Sequence, residues 1–295
     1  MTVTEENLKD YKEINLRFKK NRYPIPLDKN LPKMYFVSLF VGSRGSGKTF
    51  SCCQLLKQYE KSGIYDTTLK CTIDQRIVLF SPTHSANPVF NSLKNLDESD
   101  IIHSYSDAHL TSVIENIQQE REDTLEYQKQ LKVWQKFLKI KSVQELDQED
   151  LFLLERLNYD PPKEPKYPNG CCVFLILDDL IGSSAFKSVG KSALTNLCLK
   201  NRHLQINILI MTQNLKAIPK SIRTNTSLFV IFRFASKKII INDLYEEVSN
   251  SLTLEDFEEL YDFATKDDHD SLVIDFTQPK PDRFKMNFSK ILHIS

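Results

Sequence analysis

The segment Gly42-Ser-Arg-Gly-Ser-Gly-Lys-Thr49 sets two glycines, a lysine and a hydroxyl at fixed offsets. This spacing suits one kind of chemistry, the cradling of a polyphosphate by backbone amides. A hydrophobic strand, Val37–Val41, leads into the loop and a helix beginning at Phe50 leads out of it, so the amides sit at a helix N-terminus facing an anion. An ordinary Gly/Ser turn with a solvent-facing lysine would need neither flank. The expected contacts to the nucleotide come from Gly42, Ser43, Arg44, Gly45, Ser46, Gly47, Lys48, Thr49 and Phe50. Lys48 would neutralise β- and γ-phosphate oxygens, and the Thr49 hydroxyl would help coordinate Mg²⁺. The expected ligand is a nucleoside triphosphate, ATP with Mg²⁺.

Phosphate chemistry also requires carboxylates opposite the loop. Cys171–Leu177 is the most apolar run in the chain and ends in Asp178-Asp179. A buried strand delivers such a pair to the carboxyl edge of a sheet, where the phosphate loop also lies. Asp178 is expected to hold the metal, commonly through a water, and Asp179 to orient or deprotonate an attacking water. The alternative for such a pair at a strand end is a helix cap for the residues beyond, a reading that the loop weakens. Gln213 ends the next strong strand, where its amide can bond both γ-phosphate and water, although a purely structural role also fits. Arg202, Arg223 and Arg233 are candidates for a charge brought against the γ-phosphate by a neighbouring subunit, and spacing does not choose among them. Lys216, Lys220, Arg223, Lys237 and Lys238 form a local basic cluster, either a backbone-phosphate contact or a solvated face.

The elements that must position these residues alternate short apolar strands with helices, which predicts an α/β fold with a mainly parallel central sheet covered on both faces. Strands are expected at Tyr35–Val41, Arg76–Phe80, Cys171–Leu177, Ile206–Met211 and Leu228–Phe232, with Leu272–Phe276 as an added edge strand. Helices are expected at Thr49–Ser62, Ala185–Lys200, 236–249 and 254–264. Residues 1–33 are polar and punctuated by Pro24, Pro26 and Pro32, and read as an N-terminal arm leading into a single domain, 34–295. Within that domain, about 107–165 reads as a helical insertion (Ser112–Lys139, then Gln148–Leu157) and about 266–295 as a C-terminal extension.

The 39 basic and 39 acidic side chains cancel, so any polymer must be met by a local patch or an assembled ring rather than by net charge. The six cysteines show no C-x-x-C spacing and no histidine at ligand distance, which favours free thiols in a reducing compartment over a metal site. No apolar run approaches the roughly 20 residues needed to cross a bilayer, so a soluble, intracellular or particle-borne protein is expected.

Taken together, Gly42–Thr49, Phe174-Leu-Ile-Leu-Asp-Asp179, Asn201-Arg-His203 and Ile208-Leu-Ile-Met-Thr-Gln213 resemble the A32-like genome-packaging ATPases of large DNA viruses, in the FtsK–HerA superfamily. Ser81-Pro-Thr83 and Ile222-Arg-Thr-Asn225 look like the same family. The resemblance runs over about 34–234 and is weakest in the helical stretch 107–165 and in the tail. It implies an ASCE-type core, with an additional strand between the loop strand and the strand ending in Asp178. It also implies a pentameric or hexameric ring that threads double-stranded DNA into a preformed capsid, docked on a capsid or portal-vertex protein, in the virion or at the assembly site in host cytoplasm. By the same resemblance Asp179 takes the catalytic acidic position, Gln213 the sensor position, and Arg202 the Arg-His element. Many relatives carry Glu where this chain has Asp179, one methylene longer. The rival functions are a small-molecule P-loop kinase, a nucleotide-gated assembly scaffold and a helicase or recombination ATPase.

Overall fold

The computed structural model describes residues 23–84, 87–140, 145–180, 182–186, 192–234, 236–249 and 252–294, without the side chains of 237–241. In chain order the elements are β1 (Ile25–Pro26), β2 (Val37–Val41), α1 (Lys48–Ser62), β3 (Ile64–Asp66), β4 (Cys71–Phe80), β5 (Ile101–Ile102), α2 (Asp107–Phe137) and α3 (Gln148–Arg156). They continue with β6 (Cys171–Asp178), α4 (Ala193–Leu204), β7 (Ile206–Thr212), α5 (Lys220–Arg223), β8 (Leu228–Phe232), α6 (Lys237–Val248), α7 (Leu254–Ala264), β9 (Ser271–Asp275), β10 (Phe284–Met286) and β11 (Lys290–Ile291). Among the described residues the strands form one sheet in the order β1-β3-β4-β6-β7-β2-β8-β9-β10-β11, with β5 beside β4. The five central strands, β4, β6, β7, β2 and β8, are parallel. Strand β7 lies between β2 and β6, so the additional-strand order expected from the sequence is present.

Both faces of these strands are covered, and side chains alternate between two cores. Val37, Leu39 and Val41 of β2 and Val173, Leu175 and Leu177 of β6 face one core, while Phe40, Phe174 and Ile176 face the other. This double burial is why the strands read as continuous apolar runs. Helix α1 packs on the second face through Cys52, Leu55, Leu56 and Tyr59, whereas α2, α4 and α7 send residues to the first. Helix α2 spans two environments. Leu110 and Ile117 join the core, and beyond them the helix runs out to pack with α3. Its inner half is pinned by Arg76 on β4, whose guanidinium donates to both Asp100 carboxylate oxygens (3.2 and 2.8 Å) and to Glu120 on α2. All six cysteines are free; four are buried and Cys71 and Cys171 are partly exposed.

Several expected boundaries move. Strand β4 begins at Cys71 rather than Arg76 and is preceded by the hairpin partner β3, because its first residues alternate exposed and buried and carry no continuous apolar signal. Strand β9 is not an edge strand. It is fully buried and followed antiparallel by β10 and then β11. The polar letter Lys285 hides β10, yet this lysine is buried against Asp275 (3.2 Å). The helix expected over Ala185–Lys200 is a short turn at Ser184–Phe186 and then α4, whose start is set by Ser192 accepting from the Thr195 amide (3.1 Å); residues 187–191 lie outside the described residues.

Of the leading arm, residues 1–22 lie outside the described residues, but its end is bound to the rest of the chain. The Tyr59 hydroxyl donates to Pro32 O (2.6 Å), Gln278 Nε2 to Leu31 O (2.8 Å), and Lys285 Nζ to Asn30 O (2.6 Å). Asp275→Ala would leave the buried Lys285 ammonium without its counter-charge, with Asn30 O as an acceptor that remains, and removing one member of a buried pair costs about 3–5 kcal/mol. Urea unfolding of the two proteins should show a loss of this order; a loss under about 1 kcal/mol would mean that the pair behaves as an exposed one.

Candidate nucleotide site

Four parallel strands end at one edge, and each delivers a polar group there. Strand β2 runs into the loop Gly42–Thr49, β4 ends at Ser81, β6 at Asp178 and β7 at Gln213. The loop is tied to β7 by the Gly42 amide, which donates to Thr212 O (3.2 Å). Two glycines are required for different reasons. A Cβ on Gly42 would sit 2.4 Å from Ser46 Oγ and 2.8 Å from Phe232 Cβ, so close approach forbids a side chain. Gly47 caps α1 with φ +99°, a left-handed conformation that costs glycine little. Ser43, Arg44, Gly45 and Phe50 are exposed, and Ser46 to Thr49 are half-buried. Amides at the start of α1 thus face solvent at the positive end of a fifteen-residue helix.

Charged groups meet beside the loop. Lys48 Nζ donates to Gly42 O (2.9 Å) and Ser43 O (2.8 Å). Burial pulls its pKa down, and the carboxylates of Asp178 and Asp179 oppose that. Asp178 is 6% exposed and accepts from Ser81 Oγ (3.2 Å). Burial pushes its pKa above the ordinary 3.8; the Ser81 bond and Lys48 pull it down, and Asp179 adds to the rise. Asp179 turns outward with φ +52° and is exposed, and Gln213 Nε2 donates to its Oδ1 (3.5 Å). Asn87 Nδ2 donates to Thr49 Oγ1 (3.4 Å).

Among the described residues no group of three His, Cys, Asp or Glu side chains could cage a metal. The oxygens of Thr49 and Asp178 fit instead the ligation typical of Mg²⁺, which takes one or two protein oxygens and completes its shell with phosphates and water.

The arginines separate by edge. Arg233 directly follows β8 at the loop's edge of the sheet, and its Nη1 donates to Lys266 O (3.1 Å). Arg202, near the end of α4, and Arg223, on α5, precede β7 and β8 and therefore lie at the opposite edge. Arg202 lines a polar cavity of about 610 Å³ there, together with His203, Asn225 and Glu247. Arg223 is largely buried and paired with Glu247 (2.9 Å). The basic cluster is paired within the chain as well, since Lys216 meets Asp243 (2.8 Å) and Lys220 meets Glu246 (3.6 Å). The side chains of Lys237 and Lys238 lie outside the described residues.

Two site residues carry no role in the reading of individual residues. Ser81 enters only through the resemblance, although a hydroxyl directly after an apolar strand is a usable signal. Asn87 is marked only by the Asn-Pro dipeptide that starts a turn.

A five-stranded parallel core with a phosphate loop on β2, a carboxylate pair on β6 and one strand between them defines a P-loop NTPase of the additional-strand type. The sequence profile of the family described as "Poxvirus A32 protein" matches residues 109–255, from α2 through the start of α7. Over those residues the chain is similar to that family. The match includes Asp178, Asp179, Arg202, Gln213 and Arg223, and also the outer part of α2, which is the least diagnostic stretch to the eye. No curated relative matches the sequence.

Among solved structures, the genome packaging NTPase B204 from Sulfolobus turreted icosahedral virus 2, in complex with ATP-gammaS, aligns with TM-score 0.43 and 12% identity over 85% of this chain and 96% of that one. The pCW3 conjugation coupling protein TcpA aligns with TM-score 0.39 and 14% identity over 86% and 63%. The cytoplasmic domain of the Thermomonospora curvata type VII secretion ATPase EccC aligns with TM-score 0.40 and 15% identity over 82% and 24%. The fold assignment rests on this chain's own strand order and loop.

The raised pKa of Asp178 has a definite sign for stability. The folded chain holds this proton more tightly than the unfolded one, so the contribution favours folding below 3.8 and is lost as pH rises through the raised value. Asp178→Asn removes the penalty that remains at neutral pH. Its urea midpoint should exceed that of the wild type at neutral pH, with the gap closing toward the ordinary aspartate range; a midpoint below wild type at neutral pH contradicts the assignment.

Proposed function

We propose that the chain is a Mg²⁺-dependent ATPase that drives double-stranded viral DNA into a preformed capsid, acting as a pentameric or hexameric ring at a capsid or portal vertex. The observation that carries this reading is the convergence of Lys48, Asp178, Asp179 and Gln213 at one sheet edge across a single intervening strand. Support for the packaging role comes from the A32 match together with the Asn201-Arg-His203 and Ser81-Pro-Thr83 elements. Such a protein would work in the virion or at the assembly site in host cytoplasm. Among the described residues no helix is long and apolar enough to cross a membrane.

In this reading the loop amides and Lys48 hold the phosphates, and Thr49 and Asp178 would hold Mg²⁺, which when bound neutralises charge developing on the γ-phosphate. Asp179, exposed beside Gln213, orients and deprotonates the attacking water. Gln213 keeps that carboxylate aimed and bonds the same water. Of the three arginines, Arg202 is the one we assign to a neighbouring subunit's site. It is exposed at the edge opposite its own loop, whereas Arg223 is paired with Glu247 and Arg233 is engaged at its own loop edge.

ATP turnover with and without linear duplex DNA tests the whole reading. Duplex DNA should stimulate hydrolysis, and Lys48→Ala should reduce turnover by at least about 10²-fold. A wild-type ring whose turnover ignores duplex DNA favours the assembly-scaffold or small-molecule kinase reading, and stimulation only by forked or single strands favours a helicase. Asp179→Asn should keep nucleotide affinity and lose about 10²–10⁴-fold in rate; unchanged turnover removes Asp179 from the chemistry. Arg202→Ala should bind ATP, fail alone, and poison mixed rings with wild type. Full activity of that variant alone rejects the assignment.

A further inference from the structure

The turn between α7 and β9 closes over the phosphate loop from the side away from the carboxylates. A methyl group added at Gly47 would lie 3.3 Å from His269 Cβ, 3.6 Å from His269 Nδ1 and 3.5 Å from Phe232 Cε1. His269 itself is exposed and holds φ +69°, a left-handed conformation uncommon for a residue with a side chain. Both ends of the turn are braced. Arg233 donates to Lys266 O (3.1 Å) on one side. On the other, Asn287 Nδ2 donates to Asp270, and its Oδ1 accepts from the Ser271 amide (2.8 Å) and Ser271 Oγ (3.0 Å). A left-handed residue held between two anchors is positioned rather than loose, and such outliers concentrate at ligand clamps.

The direction of a bound nucleotide follows from the strand order. Asp178, Asp179 and Gln213 stand on β6 and β7, on one flank of β2, and draw the γ-phosphate and its metal to that side. The α-phosphate and nucleoside must then extend toward the opposite flank, over β8, where Phe232 and His269 lie beside Gly47. We infer that His269 is a nucleoside-contacting residue, packing its imidazole on the ribose and base of the bound nucleotide and so linking nucleotide occupancy to the β9–β10 hairpin through Asp270 and Asn287. This inference rests on the nucleotide reading given above and adds to it the wall that separates a nucleotide from a bare polyphosphate.

The test uses the full chain and two ligands, ATPγS by calorimetry and inorganic tripolyphosphate by competition against it. His269→Gly keeps the left-handed backbone and removes the ring; His269→Asn also tolerates that backbone and guards against an effect of glycine flexibility. Both should weaken ATPγS about tenfold, the size of one lost contact, and leave tripolyphosphate unchanged, whereas Lys48→Ala should weaken both ligands. Equal weakening of both ligands in the His269 variants would mean that the ring only buttresses the loop, and no weakening of either would mean that it touches nothing; each overturns the inference. A wild-type chain that binds neither ligand overturns the nucleotide reading itself, and this inference with it.

Discussion

Five parallel strands buried on both faces leave almost no place for a polar side chain except at their ends. The grouping of residues around the phosphate loop follows from that constraint. The alternation of Val37, Leu39 and Val41 against Phe40, and of Val173, Leu175 and Leu177 against Phe174 and Ile176, occupies both sides of the sheet with apolar contacts. Polar groups therefore collect where the strands stop, and since the strands run the same way, Ser81, Asp178, Gln213 and the loop collect at one edge. The sheet thus works as an aligning device, and one residue of slip in β6 would move Asp178 off the level of Met211 and send its neighbours to the wrong faces.

Collecting charges at a semi-buried edge costs stability. Burial lowers the pKa of Lys48 and raises that of Asp178, so each is held in a setting that disfavours its charged form, and each is relieved by the other. Ser81 is the third party, a neutral donor that satisfies the carboxylate without adding charge. The connection from β7 to β8 shows the contrasting solution. There Lys216, Lys220 and Arg223 are matched by Asp243, Glu246 and Glu247 on α6, so each of these three basic side chains has an acidic partner.

Much of this was legible from residues alone, for identifiable reasons. The loop is a local motif, and double burial turns each central strand into an unbroken apolar word, so β2, β6, β7 and β8 and the residues at their tips could be read directly. Elements with mixed environments could not. The first half of β4 alternates, β3 is three residues long, and β10 hides a buried lysine whose partner, Asp275, lies on another strand. The pairing of the basic cluster escaped for the same reason, because its acidic partners sit on a helix some twenty residues or more downstream, and no spacing rule joins them. Ser81 and Asn87 reach the site only through tertiary folding.

The strand that carries the phosphate loop is made early and completed late. Phe36, at the foot of β2, bonds Asn207 across a separation of 171 residues, and the far side of β2 waits for β8. The arm before it waits longer still, since Asn30 is held by Lys285 across 255 residues. During synthesis β2 must therefore remain unpaired until β7 has been made, an apolar segment with both edges open. The phosphate loop therefore gains its carboxylate partners and its strand neighbours together, when β6, β7 and β8 join β2.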